Sequence, residues 1–228
     1  MFGRVSKPII VYVDRNRLQF FGGKFSSVIT MEIPPTAVSD VEVLNRDALY
    51  TLVNQWIKQN ALGGNQLFFV LSPSIYYEKV ITSVTDTQQE TEILKFYDMV
   101  PFEELLTKVI TSTPAREKWA FATNSAYIEA LIHAFLLQGI HVIGIIPAML
   151  LGSLAAKRWM DEEMGAYVVK HFDELQKQSV AANDDSQMSL PNAPSNVPTA
   201  ANNPRLMILV GIFGVLLLAL IVFLFVRH

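Results

Sequence analysis

The sequence predicts an α/β fold, a mixed sheet with flanking helices, followed at the C-terminal end by one transmembrane helix. Three observations carry that prediction. Short β-branched and aromatic runs alternate with stretches of helical apolar spacing through residues 1–178. The patterning stops in residues 179–205. Leu206 to Val226 (LMILVGIFGVLLLALIVFLFV) then gives 21 residues without a charge, all apolar except Gly211 and Gly214.

The elements follow in order. Residues 8–14 (PIIVYVD) and 17–21 (RLQFF), separated by Arg15 and Asn16, read as a hairpin. Residues 25–33 (FSSVITMEI) give a third strand, stopped by Pro34 and Pro35. Residues 45–60 are helical, because Leu49, Leu52, Val53, Trp56 and Ile57 recur at three and four, and Gly63 and Gly64 end the run. Residues 67–71 (LFFVL) form a buried strand closed by Ser72 and Pro73, and residues 75–81 (IYYEKVI) another. Residues 91–97 read as helix, and 102–110 (FEELLTKVI) fit either state. Residues 119–122 (WAFA) are a strand, 124–138 a helix capped by Ser125, and Gly139 turns the chain into a strand at 141–146. Residues 148–178 read as one long helix, with charge densest at Lys157, Arg158, Asp161, Glu162 and Glu163. Residues 127–151 are also apolar. Glu129, His133, Gln138, His141 and Pro147 interrupt them and Gly139 breaks them, so they read as helix, turn and strand, not as a second span.

Composition excludes some classes of function. Lys plus Arg is 18, Asp plus Glu is 21 and the net charge is −3, so there is no basic excess to drive nucleic-acid binding. Cysteine is absent, which removes disulfides, thiolate metal sites and a cysteine nucleophile. Apolar residues make up 51% of the chain, and without the final apolar segment the fraction falls to about 47%, an ordinary globular value.

A helix of 21 residues matches the ~30 Å hydrocarbon core of a bilayer. Arg205, Arg227 and His228 flank it. Charge bias does not orient it, since Arg205 and Arg227 are nearly symmetric. The N-terminal residues hold no apolar stretch of signal-peptide length, so the large N-terminal part is expected to stay in the cytoplasm in a tail-anchored, single-pass arrangement. Residues 179–205, rich in Pro, Asn, Ala and Ser, read as a flexible linker. Gly211 and Gly214 are three apart and do not form a G-x-x-x-G pair.

No catalytic, cofactor-binding or metal site is legible. Gly22-Gly23-Lys24-Phe25-Ser26-Ser27 lacks the first glycine of a phosphate loop and leads into a strand, so it reads as a turn. His133, His141, His171 and His228 show no metal-ligand spacing. Ser72 and Ser74 flank Pro73 without a nucleophile elbow. Two groups are candidates for partner binding. Tyr76 and Tyr77 lie on a strand that a partner's segment can extend, and Asp161, Glu162 and Glu163 form an acidic run that can dock a membrane-proximal partner.

The order of elements over residues 8–178 resembles the PilM-type actin-like proteins of type IV pilus systems, and is similar to the cytoplasmic domain of the type II secretion L protein. Residues 8–20 carry the resemblance as the opening strand pair. Residues 67–81 (LFFVLSPSIYYEKVI) carry it as strand, Pro/Ser turn and strand. Residues 90–110 carry it as an acidic helix leading to Pro101, Phe102 and Glu104, and residues 119–150 as strand, helix, Gly-Ile turn and strand. The resemblance implies a truncated actin-like domain, about half of an ATP-binding architecture, that assembles an envelope machine. At the place of the family's glycine-containing phosphate loop stands Asp14-Arg15-Asn16-Arg17, without the glycine that lets backbone amides approach phosphate. The expected function is therefore a non-catalytic scaffold at the inner membrane that uses no cofactor. Its expected partners are the lipid bilayer and a PilN-like inner-membrane protein with a cytoplasmic tail. Two alternatives are an ATP-binding actin-like switch active as a dimer and a generic tail-anchored adaptor.

Overall fold

The computed structural model describes residues 8–111 and 117–180. The chain divides into two units, Met1–Ala182 and Asn183–His228, and everything below belongs to the first. Among the described residues no helix is long and apolar enough to cross a membrane. The segment 206–226 and the linker beyond residue 180 lie outside the described residues.

The main sheet has five strands. β1 (Ile9–Val13), β2 (Arg17–Gly22) and β3 (Phe25–Glu32) form an antiparallel meander. β4 (Val38–Ser39) and β5 (Glu42–Val43) make a small separate hairpin, followed by α1 (Arg46–Gln59). β6 (Gln66–Leu71) then pairs in parallel with β1, with Val13 opposite Leu71. A three-stranded antiparallel sheet comes next: β7 (Tyr76–Ile81), β8 (Leu105–Thr111) and β9 (Lys118–Asn124), in the order β7-β9-β8, with α2 (Asp86–Met99) on one face. β9 runs directly into α3 (Ser125–Leu136), and β10 (His141–Pro147) joins β6 in parallel. The main sheet therefore has the order β10-β6-β1-β2-β3.

Burial explains the layers. Every residue of β1 is fully buried because both faces of the sheet are covered. Ile9, Val11 and Val13 pack with Leu49, Val53 and Ile57 of α1 and with Leu131 and Phe135 of α3. Ile10 and Tyr12 face the other way, against Leu151, Met164, Val168 and Leu175. Ile81, Phe96, Val100, Ala120 and Ala122 form a third, smaller core under α2.

Three sequence expectations are corrected and one that was open is resolved. Residues 148–178 are not one helix. A 3-10 helix (Ala148–Ala156) is interrupted at Gly152, where φ is 61° and ψ is −127°; an irregular stretch that bends at Arg158 and Trp159 follows, then α4 (Glu162–Lys170) and α5 (Phe172–Lys177). The cap of α3 is Asn124, whose side chain accepts from the Tyr127 N–H; Ser125 is the first helical residue. Of the ambiguous stretch 102–110, residues 102–104 are irregular and the rest belongs to β8, paired along β9. The fold also runs past residue 178. Ser179 is fully buried and its hydroxyl accepts from Ile145 N–H at 2.8 Å, while Val180 N–H donates to Ile145 O at 2.7 Å. The Gly22-Gly23-Lys24 segment is a tight turn with positive φ at both glycines, and a side chain at Gly23 would sit 2.8 Å from Ile9 Cγ1.

Candidate functional site

β1 and β6 are parallel, so the residues that follow them, Asp14 and Ser72, emerge side by side at one end of the sheet, the end where α/β folds place their ligand crevices. Ser72 N–H donates to Val13 O at 2.9 Å, which fixes the two turns together. The Ser72 hydroxyl donates to Asp14 Oδ1 at 2.8 Å, and the Ser74 hydroxyl donates to the same oxygen. Tyr127 of α3 donates to Asp14 O at 2.9 Å. Asp14 is only 7% exposed, yet no lysine or arginine pairs with it among the described residues. Tyr12 is fully buried beside this cluster. Burial first, then the Asp14 charge, pushes its phenol well above the ordinary range, so it stays neutral. Ser72 lies close to that phenol, whose hydroxyl makes no hydrogen bond of normal geometry.

These turns line a cavity of about 750 Å³. Its opposite wall is the irregular stretch between the 3-10 helix and α4, held down by Gln19 of β2. The Gln19 amide donates to Met160 O at 3.3 Å and accepts from Met160 N–H at 2.9 Å. Trp159, just before it in the chain, contacts two guanidinium groups: Arg17 Cζ stands 3.9 Å from the ring centre and Arg158 Cζ 4.6 Å. Arg15 donates from Nε to Ser74 O at 2.8 Å and lies 3.8 Å from Asp40. Asp40 and Val41 form the β4–β5 turn, with φ of 46° and 68°, and Asn124 Nδ2 holds the Val41 carbonyl at 3.0 Å. A second cavity of about 770 Å³ lies at the other end of the sheet, between the β2–β3 turn and α4. It has no buried polar cluster comparable to Asp14, Ser72 and Ser74 among its lining residues.

The two partner-binding candidates are divided by the structure. Tyr76 is turned inward, 7% exposed, with its ring against Phe121 and its hydroxyl accepting from Met149 N–H at 3.1 Å. Tyr77 faces out, 44% exposed, with its ring edge on Phe102. β7 is an edge of its sheet, as a strand-extension site requires. The acidic run is not mid-helix. Asp161 caps α4 by accepting from Met164 N–H, and Asp161 and Glu163 both take the Lys157 ammonium at 2.5 Å. Those contacts, the Lys157 hydrogen bond foremost, lower the Asp161 pKa and raise that of Lys157. Glu162 alone of the three stays exposed without such a contact. His133 and His141 lie on α3 and β10, and no group of three His, Cys, Asp or Glu side chains suited to a metal exists among the described residues. Leu206, Gly211, Gly214 and Val226 lie outside the described residues.

The sequence marks Asp14 to Arg17, Ser72 to Ser74 and Arg158 separately, without joining them, and gives no role to Gln19 and Trp159. A glutamine inside the apolar strand L-Q-F-F was the available signal, since a buried amide needs a partner.

No known protein-family profile matches the chain, and no curated protein sequence matches it either. Solved structures are similar in fold, three of them as follows. A PilM–PilN type IV pilus biogenesis complex matches at 11% identity and TM-score 0.48, over 64% of this chain and 48% of that one. The cytoplasmic domain of EpsL, an inner membrane component of the Vibrio cholerae type II secretion system, matches at 12% identity and TM-score 0.38, over 61% and 56%. A Bacteroides thetaiotaomicron protein with an actin-like ATPase fold matches at 9% identity and TM-score 0.39, over 64% and 54%. The chain spans about half the length of these structures.

Proposed function

We propose that this chain is a non-catalytic, membrane-anchored scaffold in an envelope assembly platform of the type IV pilus or type II secretion kind. On this reading the α/β unit is half of an actin-like fold on the cytoplasmic face of the inner membrane. Residues 206–226 hold it in the bilayer, and its partner is an inner-membrane protein with a cytoplasmic tail, PilN-like in kind. Confinement to a thin layer raises effective concentration, so weak contacts suffice.

One observation carries the non-catalytic part. The turn that follows β1 is built of Asp14, Arg15, Asn16 and Arg17, and its polar groups are already engaged. Asp14 Oδ1 takes the hydroxyls of Ser72 and Ser74, and Arg15 is bound to Ser74 O. With no glycine, the turn lacks the residue that lets backbone amides approach a phosphate closely. The pilus and PilN-like assignments rest on the resemblance of residues 67–81, 90–110 and 119–150. The anchor rests on the composition of residues 206–226.

The test is complementation together with fractionation. Deleting residues 206–228 should leave a folded, detergent-free protein that no longer sediments with membranes and no longer restores the lost assembly in a deletion strain. Full complementation by the truncated protein refutes the anchored scaffold. The competing ATP-switch reading is tested by calorimetry, where saturable Mg²⁺–ATP binding would favour it.

A further inference from the structure

We propose that the cavity at the carboxyl ends of β1 and β6 docks a short acidic segment of a protein partner, with its carboxylates pairing to Arg158 and Arg15 along the Trp159 wall. The inference deepens the scaffold reading and rests on it for the existence of a protein partner.

The charge balance of the cavity sets the sign of the ligand. Arg15, Arg17, Lys157 and Arg158 line it, against Asp14 and Asp40. Arg158 is exposed and has no carboxylate partner among the described residues; its contact is the face of Trp159. Arg15 and Arg17 have acidic neighbours only at 3.8 and 3.7 Å, long single contacts on partly exposed side chains. Such pairs contribute little, so an incoming carboxylate displaces them at small cost. Lys157 is held differently, at 2.5 Å by two carboxylates, and stays committed to the start of α4.

The arrangement of those charges sets the ligand's shape. Arg15 and Arg158 are exposed, while Asp14 is a buried part of the lining without a cation. A compact multiply charged group such as a triphosphate would meet the Asp14 carboxylate. An extended chain carrying single charges can place each one on a guanidinium and keep clear of Asp14. Guanidinium groups pair with carboxylates through two parallel hydrogen bonds. Trp159 is held at its ring by two guanidinium groups, and the neighbouring Met160 backbone is bound by Gln19, so the ring presents a wall that loses little entropy on binding. A volume of about 750 Å³ accommodates a few residues of peptide.

The test uses the full-length protein in detergent and the fluorescence anisotropy of two labelled peptides of equal length, one Glu-rich and one Lys-rich. Inorganic phosphate and Mg²⁺–ATP serve as competitors. The Glu-rich peptide should bind saturably and the Lys-rich one should not. Arg158→Glu and, separately, Arg15→Glu should each weaken binding about tenfold or more. Lys95→Glu, on an exposed position of α2, should leave it unchanged, and circular dichroism should show each variant folded. The inference is overturned if the Glu-rich peptide does not bind, if both arginine variants bind it as tightly as the parent, or if phosphate or ATP occupies the site more tightly than the peptide. Crosslinking of the membrane partner in the same variants separates this from the scaffold reading. Partner capture undiminished by Arg158→Glu and Arg15→Glu removes the cavity inference and leaves the scaffold standing.

Discussion

Gln19 and Met160 lie 141 residues apart and are joined by two hydrogen bonds through one side chain, the amide giving to Met160 O and receiving from Met160 N–H. A side-chain amide here does what a neighbouring strand would do for the backbone of a buried, extended residue. The contact ties the segment carrying Arg158 and Trp159 to β2, and so builds one wall of the cavity.

Gln19→Leu removes both bonds and leaves the Met160 N–H and C=O without partners. Each buried group left unpaired costs roughly 1–3 kcal/mol. Urea unfolding should show a loss of about 2–6 kcal/mol in total on that basis. Trp159 should also become more accessible to a fluorescence quencher. An unchanged midpoint and unchanged quenching would show that the pairing has no structural weight.

Much of this architecture was legible in the sequence, and the reason is burial. β1, β6, α1 and α3 are covered by apolar neighbours, and apolar spacing records that cover directly. The break in residues 148–178 left a weaker trace. Gly152 takes a positive φ, and Asp161, Glu162 and Glu163 are an N-cap and an acidic first turn, a helix start that was read as a helix middle. The cavity was legible only in fragments, since its two walls come from distant stretches and periodicity carries no record of which stretches meet. β4 and β5 were missed because two-residue strands have no period.

Gly165 of α4 lies against Phe21 of β2. A methyl group there would approach the Phe21 ring to 2.4 and 2.5 Å. Gly165→Ala should therefore destabilise the fold by about 1–3 kcal/mol, despite the better helix propensity of alanine. Combining it with Phe21→Ala should recover part of the loss in a double-mutant cycle. Additive effects would rule out the close contact as the cause.

Asp161 supplies the pH-dependent part of the α4 start. Its folded pKa is lowered, chiefly by the Lys157 hydrogen bond and then by Met164 N–H. Its contribution is thus complete above the unfolded value of about 3.9 and is lost as pH falls through the lower folded value. Asp161→Asn keeps an acceptor for the cap and loses the charge. Its melting temperature should fall below the parent's near neutrality, and the gap should close as the solution is acidified below about pH 4. Asp161→Ala should cost about 1 kcal/mol more through the lost cap. A gap that stays constant down to pH 2 would count against this account.

The C-terminal boundary of the folded unit offers a separate test. β10 is the edge strand of the main sheet, and Ile145 exposes its N–H and C=O on the outer side. Ser179 and Val180 occupy both groups, and Lys108 of β8 donates to the carbonyl of Ser179. The residue pair that composition assigned to the linker thus closes a sheet edge and ties it to the second sheet. A chain ending at residue 178 leaves Ile145 unpaired and the Lys108 ammonium without that acceptor, whereas a chain ending at residue 182 keeps all three contacts. The shorter chain should unfold at lower urea, by roughly 1–3 kcal/mol, and its Ile145 amide should exchange with deuterium faster. Equal stability of the two truncations would put the boundary back at residue 178 and make the contacts of Ser179 and Val180 incidental.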